Sequence, residues 1–389
     1  MSRPRVLVYI SIAGLVAILS STASKSPTLP LFAEYLGAGP DEIGIIAAAS
    51  TITGVVVNVT AGTLLDILGR RKLLLLSGFF FATAPFLYLL VTDPWQLIVV
   101  RVYHGVATAV FTPVAIAAIA DVYRERRGEV MGYFSSATLL GRLMAPSIAG
   151  TAITLYSFHG AYIVCGAFGI AALIALLKFP ETRKVGEARV RATTRLLSVL
   201  TNPRIIIAGS MMAITYFAMQ SIETFLPLYM GTLSIEAWLM GLALSIELAT
   251  IALLKPYGGY LYDHIGSVKV ITLGVLLSFL GLLSLSVSTS YILIVASVIL
   301  FAVGVAFTTA SIPPLVAEIA GREAHGTALG AMKTIKDVGQ ALRPIVMGVT
   351  LTYTTYDIAF ITVAVIMMIA IILNIAIHRI GVPKALIKR

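Results

Sequence analysis

GTLLDILGRRK occupies residues 62–72, and a worn copy, GYLYDHIGSVK, returns at 259–269. Each begins in an apolar run, meets one acid, passes through a second glycine and ends in cations. An apolar chain that stops twice at the same pattern suggests a duplicated unit. It also suggests a boundary at which the chain leaves a nonpolar environment.

Composition says what that environment is. Of the 389 residues, 58% are hydrophobic and only 12% are charged, with a mean hydropathy of +0.96. A soluble domain carries roughly a quarter charged residues. Most side chains here therefore have no water to face, and the chain reads as a polytopic membrane protein of all-α class. The single Cys165 excludes a disulfide framework and a cysteine-built metal site. The N-terminal run MSRPRVLVYISIAGLVAILSS reads as a first transmembrane helix, not a processed leader, because no small-residue cleavage pattern interrupts it.

A bilayer core takes roughly 20 apolar residues per helix. Twelve stretches qualify: 7–33, 42–64, 73–91, 96–120, 129–153, 159–178, 205–230, 237–260, 268–287, 290–315, 326–350 and 357–378. The loops on one side collect Arg3, Arg5, Arg70, Arg71, Lys72, Arg124, Arg126, Arg127, Arg322 and the tail cations. Those on the other side hold Glu34, Asp41, Glu42, Asp93, Glu236 and Asp357 and no Lys or Arg. The positive-inside rule puts both termini in the cytoplasm of a cell-membrane protein. The net charge of +10 is then explained by topology and an anionic leaflet, without a nucleic-acid partner. The polar segment 181–204 follows the sixth span and divides the chain into 1–180 and 205–389, six helices each.

Shifted by 197 or 198 positions, the sequence matches itself. Gly62, Asp66, Gly69 and Lys72 fall on Gly259, Asp263, Gly266 and Lys269, and LPLF at 29–32 falls on LPLY at 226–229. Gly141, Pro146 and Gly150 fall on Gly339, Pro344 and Gly348. Two six-helix units with their ends on one side are parallel repeats, related by an axis along the membrane normal.

These motifs resemble those of the major facilitator superfamily, and nearly the whole chain takes part. GTLLDILGRRK is similar to the family's loop between helices two and three, with Gly62, Asp66, Gly69, Arg70 and Arg71 in place. RVYHG at 101–105 resembles its helix-four motif, with His104 where Gln is usual. GYFSSATLLGRLMAPSIAG at 132–150 resembles the helix-five motif of the antiporter branch, with Ala145 for one glycine. The resemblance implies two pseudo-symmetric bundles, alternating access and antiport. It also implies that Asp66 and Asp121 meet Arg70 or Arg127 at the cytoplasmic rim and latch the outward-open state; the cations alternatively serve only to fix topology. Asp263 keeps its acid but has lost two of the neighbouring cations, so its latch is expected to be weaker.

Charges inside apolar spans are expensive and are functional candidates by default. They are Lys25, Arg101, Arg142, Glu223, Glu247, Lys255, Lys333, Lys336, Asp337 and Arg343. Lys333, Lys336, Asp337 and Gln340 recur at i, i+3, i+4 and i+7, as do Tyr216, Gln220 and Glu223 at helical spacing, so each set forms one stripe. Lys25 aligns by the repeat with Ile222, next to Glu223, which predicts that the two face each other. Cations outnumber acids, so Lys25, Arg142 and Lys336 point to an anionic or zwitterionic solute. Arg101 and Arg343 alternatively bond backbone carbonyls at broken helices.

No phosphate loop of the G-x4-G-K-[ST] type is present, so the energy source is a gradient. Carboxylates out of water can carry protons, and Glu223, Asp337 and Glu247 are the candidates, with His104 as a fourth. Drug-exporting relatives often carry an acid in the first span, where this chain has Lys25. The leading expectation is a proton-coupled antiporter exporting a small anionic or zwitterionic solute, acting as a monomer without cofactor. A multidrug exporter, an organic-anion symporter, a lipid transporter and a non-transporting sensor are the alternatives. Enzyme chemistry is not expected, since no catalytic residues or metal-ligand spacing stand out.

Overall fold

The computed structural model describes residues 3–123, 125–182 and 202–379. Within them the side chains of 3–5, 58–68, 322–323 and 342–344 are not described. Expectations for the Gly62, Asp66 and Arg343 side chains, and for most of the 181–204 segment, lie outside these residues.

Helices are α1 (Arg3–Ala23), α2 (Thr28–Tyr35), α3 (Pro40–Leu68), α4 (Arg70–Leu87), α5 (Pro94–Val122), α6 (Arg127–Leu177), α7 (Pro203–Thr232), α8 (Ala237–Ile265), α9 (Ser267–Ser286), α10 (Tyr291–Tyr353) and α11 (Tyr356–Arg379). Among the described residues no strand occurs. In hydrocarbon a helix satisfies its own backbone, which an open strand does not. Local chemistry sets the ends. Pro40 and Pro94 open α3 and α5 at positions where a missing N–H costs nothing. Asp93 and Gln96 form a capping box at the start of α5.

Among the described residues, ten helical segments are long and apolar enough to cross a membrane, the first of them running through α1 and α2. Two of the helices are too long for one crossing. α6 has 51 residues, about 75 Å at the usual rise, against a hydrocarbon core of about 30 Å. It is broken at Ser157, where φ is 68°. α10, with 63 residues, is broken the same way at Gly321, where φ is 69°. Turns expected near 154–158 and 316–325 therefore exist as single-residue breaks, not as loops.

Packing divides the chain into two compact units: Met1–Arg189 with Glu223–Ser245, and Val190–Ile222 with Ile246–Arg389. The division cuts α7 before Glu223 and α8 after Ser245, so the turn joining these helices packs with the first unit although its sequence belongs to the second repeat. In the first unit α1 lies against α6, and α4 against α5 and α6. Its core includes Ile10, Phe81, Val110, Phe111 and Phe134. In the second unit α9 lies against α10 and α11.

Candidate transport site

The first span is not one continuous helix. Residues 24–27 form a turn between α1 and α2, and this break carries Lys25. Its Nζ donates to Glu223 Oε2 at 3.0 Å. On the other oxygen, Arg142 Nη2 of α6 stands 3.8 Å from Glu223 Oε1. Ser26 Oγ donates to the Glu223 carbonyl at 3.2 Å, which fixes the α7 backbone beside the break. All four residues belong to the first unit. Glu223 is only 4% exposed, against 26% for Lys25 and 38% for Arg142. One shielded carboxylate therefore holds two cations that reach outward, and the group carries one net positive charge.

A second polar group lies in the second unit. Lys336 Nζ is 2.8 Å from Asp337 Oδ1 and 4.7 Å from the centroid of the Tyr216 ring, a cation–π contact. Gln340 Nε2 donates to Gln220 Oε1 at 3.1 Å. The helical stripes expected from 333–340 and 216–223 thus meet in part, with Tyr216 and Gln220 facing Lys336 and Gln340. Lys333 is exposed. Lys25 and Lys336 each have a carboxylate, the first on a neighbouring helix and the second on the next residue of its own helix.

The opening motif bends between α3 and α4. Gly69 has φ 79° and ψ 166°, a region open only to glycine. The Glu181 carboxylate accepts from Arg70 N and Arg71 N, both at 3.1 Å, and so satisfies orphan donors at the start of α4. A Cβ at Gly69 would stand 2.7 Å from Glu181 Oε2. The repeat-related Gly266 has φ 84° but open space around its Cβ position. Gly69→Ala is therefore expected to cost about 1–3 kcal/mol of backbone strain plus the displaced cap, and Gly266→Ala the strain alone. Thermal unfolding of the two variants in detergent, with the larger loss at Gly69, checks this.

Arg70 pairs with Asp121, with Nε–Oδ2 at 2.9 Å. Arg127 is exposed at the start of α6, while its neighbour Arg126 pairs with Glu129. The Arg70–Asp121 pair lies within the first unit and ties α4 to the end of α5.

A sequence profile of the Major Facilitator Superfamily matches residues 10–249 and again 237–388. The chain belongs to that superfamily. An uncharacterised MFS-type transporter of Methanocaldococcus jannaschii is 28% identical over 332 residues, covering 83% of this chain and 85% of that protein. Multidrug resistance protein 1 of Bacillus subtilis is 23% identical, covering 89% and 90%. Among solved structures, the nucleoside transporter NupG superposes with a TM-score of 0.82 at 15% identity, covering 96% and 99%. A bacterial homologue of the human lysosomal transporter Spinster, inward-facing and occupied, gives 0.80 at 13% identity, covering 97% of both chains. The protein is thus a multi-pass membrane transporter of the superfamily fold.

Within this MFS protein, the helix-four arginine has a specific partner. Arg101 is 3% exposed and donates to Ser50 Oγ of α3. Buried His104 has Nδ1 3.5 Å from Tyr88 OH, and Tyr88 stacks on Tyr162 with ring centroids 4.3 Å apart. These residues bind α3, α5, α6 and the turn that follows α4 into one bundle. Glu247 is 1% exposed, while Lys255 and Asp263 are exposed. At Gly141 a Cβ would collide with Leu15 O and lie 3.1 Å from Leu15 C, so bare backbones of α1 and α6 touch there. Pro146 lies on the same helix. In Gly141→Leu an inserted isobutyl group must separate these two helices, at about 1–3 kcal/mol or more. Lower yield of monodisperse protein together with lost flux is the expected result.

Ser26, Ser50 and Glu181 were not legible as partners. Serine is common in apolar spans, and PETR at 180–183 marks a helix end without saying what its carboxylate will cap.

Proposed function

We propose that this MFS transporter exports a small anionic or zwitterionic solute by proton-coupled antiport, with Glu223 as the coupling carboxylate. The observation that carries this is one buried acid bridged by Lys25 and Arg142, a group with one positive charge in excess. A proton on Glu223 would uncouple both cations, so protonation and ligand binding are linked at one residue. The helix-five pattern at 132–150 supports antiport. The names of relatives such as the Bacillus subtilis protein support export. Asp337, Glu247 and His104 remain secondary proton carriers, and Tyr216, Gln220, Lys333, Lys336 and Gln340 secondary ligand contacts. The cation-rich loops support twelve crossings with both termini cytoplasmic. The repeat supports bundles at 1–180 and 205–389 joined by 181–204.

Export of amphiphilic drugs is the second reading, favoured by the names of those relatives. Lys25 argues against lipophilic cations as substrates, since it would repel them. Flux into proteoliposomes separates the readings: organic anions, zwitterions and lipophilic cations are offered with and without a pH gradient. Competition by lipophilic cations alone overturns the proposal.

A further inference from the structure

Arg101 is a buried cation in α5, and among the described residues it pairs with no carboxylate. A guanidinium keeps its proton, so it cannot escape burial by becoming neutral. The groups around it are Ser50, Tyr88, His104 and Tyr162. None of these side-chain types carries a negative charge near neutral pH. The same neighbourhood holds idle donors. Arg101 Nε, His104 Nε2 and Tyr162 Oη are each shut off from water and have no hydrogen-bond partner among the described residues. Arg101 lies beside Tyr88, which turns the phenol proton away from the guanidinium and toward His104 Nδ1, 3.5 Å off. A neutral His104 then carries its own proton on Nε2. Arg101 and His104 share one face of α5, and Tyr88 stacks on Tyr162, so the donors come from one cluster. Internal water would satisfy the hydrogen bonds but not the charge. A small anion satisfies both.

We propose that Arg101, His104 and Tyr162 form a buried site for one chloride ion in the first unit. Its three donors are N–H, N–H and O–H, a set without an acceptor, which suits a halide and rejects a metal ion. Arg101 stands seven residues inside the start of α5, and Tyr162 five residues past the break at Ser157 in α6. At the helical rise both lie about 10 Å in from those turns. Phe32 packs edge-on against Tyr162, and Phe81 edge-on against His104, which keeps water away and raises the worth of each charged contact. The ion is held and not carried, since every donor is sealed inside the bundle. It ties α5 to the second half of α6 and neutralises the arginine that the helix-four motif supplies.

The test uses the full chain in detergent at constant ionic strength, with chloride replaced by gluconate, which is too large for the site. The unfolding temperature should rise saturably with chloride or bromide. Tyr162→Phe keeps the ring stack and removes one donor, and should raise the chloride midpoint about fivefold or more. Arg101→Met removes the charge that calls for an anion, and its unfolding should be indifferent to chloride. Because that variant can misfold, crystals of the native chain grown in bromide serve as a second measurement, with an anomalous peak expected beside Arg101 and Tyr162. Equal unfolding of the native chain in chloride and gluconate overturns the proposal and leaves the donors to water. A chloride effect of one size in the native chain and in Tyr162→Phe, or a bromide peak only elsewhere, overturns it too.

Discussion

Glu223→Gln is expected to abolish solute-driven proton movement and to lower stability by about 3–5 kcal/mol, the range for breaking a buried ion pair from one side. The size of the effect follows from shielding. Glu223 is 4% exposed and its carboxylate is the partner of both Lys25 and Arg142. A neutral amide removes the charge that both cations face, and Lys25, at 26% exposure, has less water than Arg142 to make up for it. Arg142→Gln should do less, because Arg142 is 38% exposed and stands 3.8 Å away, where solvent already screens it. Thermal unfolding in detergent gives the stability order, and a pH dye in proteoliposomes gives the coupling. Equal effects of the two variants would show that Glu223 is not the centre of the group.

A disulfide between Ser147→Cys and Ser245→Cys is expected to form readily and to stop flux until reductant is added. In the first unit α6 and the start of α8 touch backbone to backbone. A Cβ at Gly150 would collide with Ala237 O, and one at Gly241 with Pro146 O. Ser147 Oγ donates to Ser245 Oγ at 2.8 Å, and Trp238 N donates to Thr154 Oγ1 at 3.1 Å. Such small-residue crossings hold helices together by close van der Waals contact and interhelical hydrogen bonds. They also part cleanly, since little side chain interlocks. Transport by alternating access has to open and close contacts of this kind, and covalent closure should arrest it. Cys165, the one native cysteine, is buried, which keeps the background low. Gly241→Leu in the same background should prevent the cross-link by holding α6 and α8 apart. Unimpeded flux in the oxidised protein would show that this crossing stays closed during the cycle.

The motifs located the corner at Gly69 correctly, because a glycine before clustered cations marks a chain leaving the bilayer. They left open which acid answers Arg70. Asp66 and Asp121 are chemically equal in sequence, and the approach of α4 to the end of α5 is what brings Asp121 to 2.9 Å, while the Asp66 side chain lies outside the described residues. Lys25 and Glu223 were legible as a pair through the repeat. Arg142 as the third member was not, since nothing in its surroundings names a residue on another helix.

The sequence alone determined an all-helical, duplicated, membrane-spanning chain. Apolar length and backbone self-satisfaction in hydrocarbon are properties of contiguous residues, and so can be read one segment at a time. Tertiary structure decided the charge balance of the site. The ion pair joining Lys25 to Glu223 spans 198 positions, and its strength depends on distance and shielding, neither of which is local.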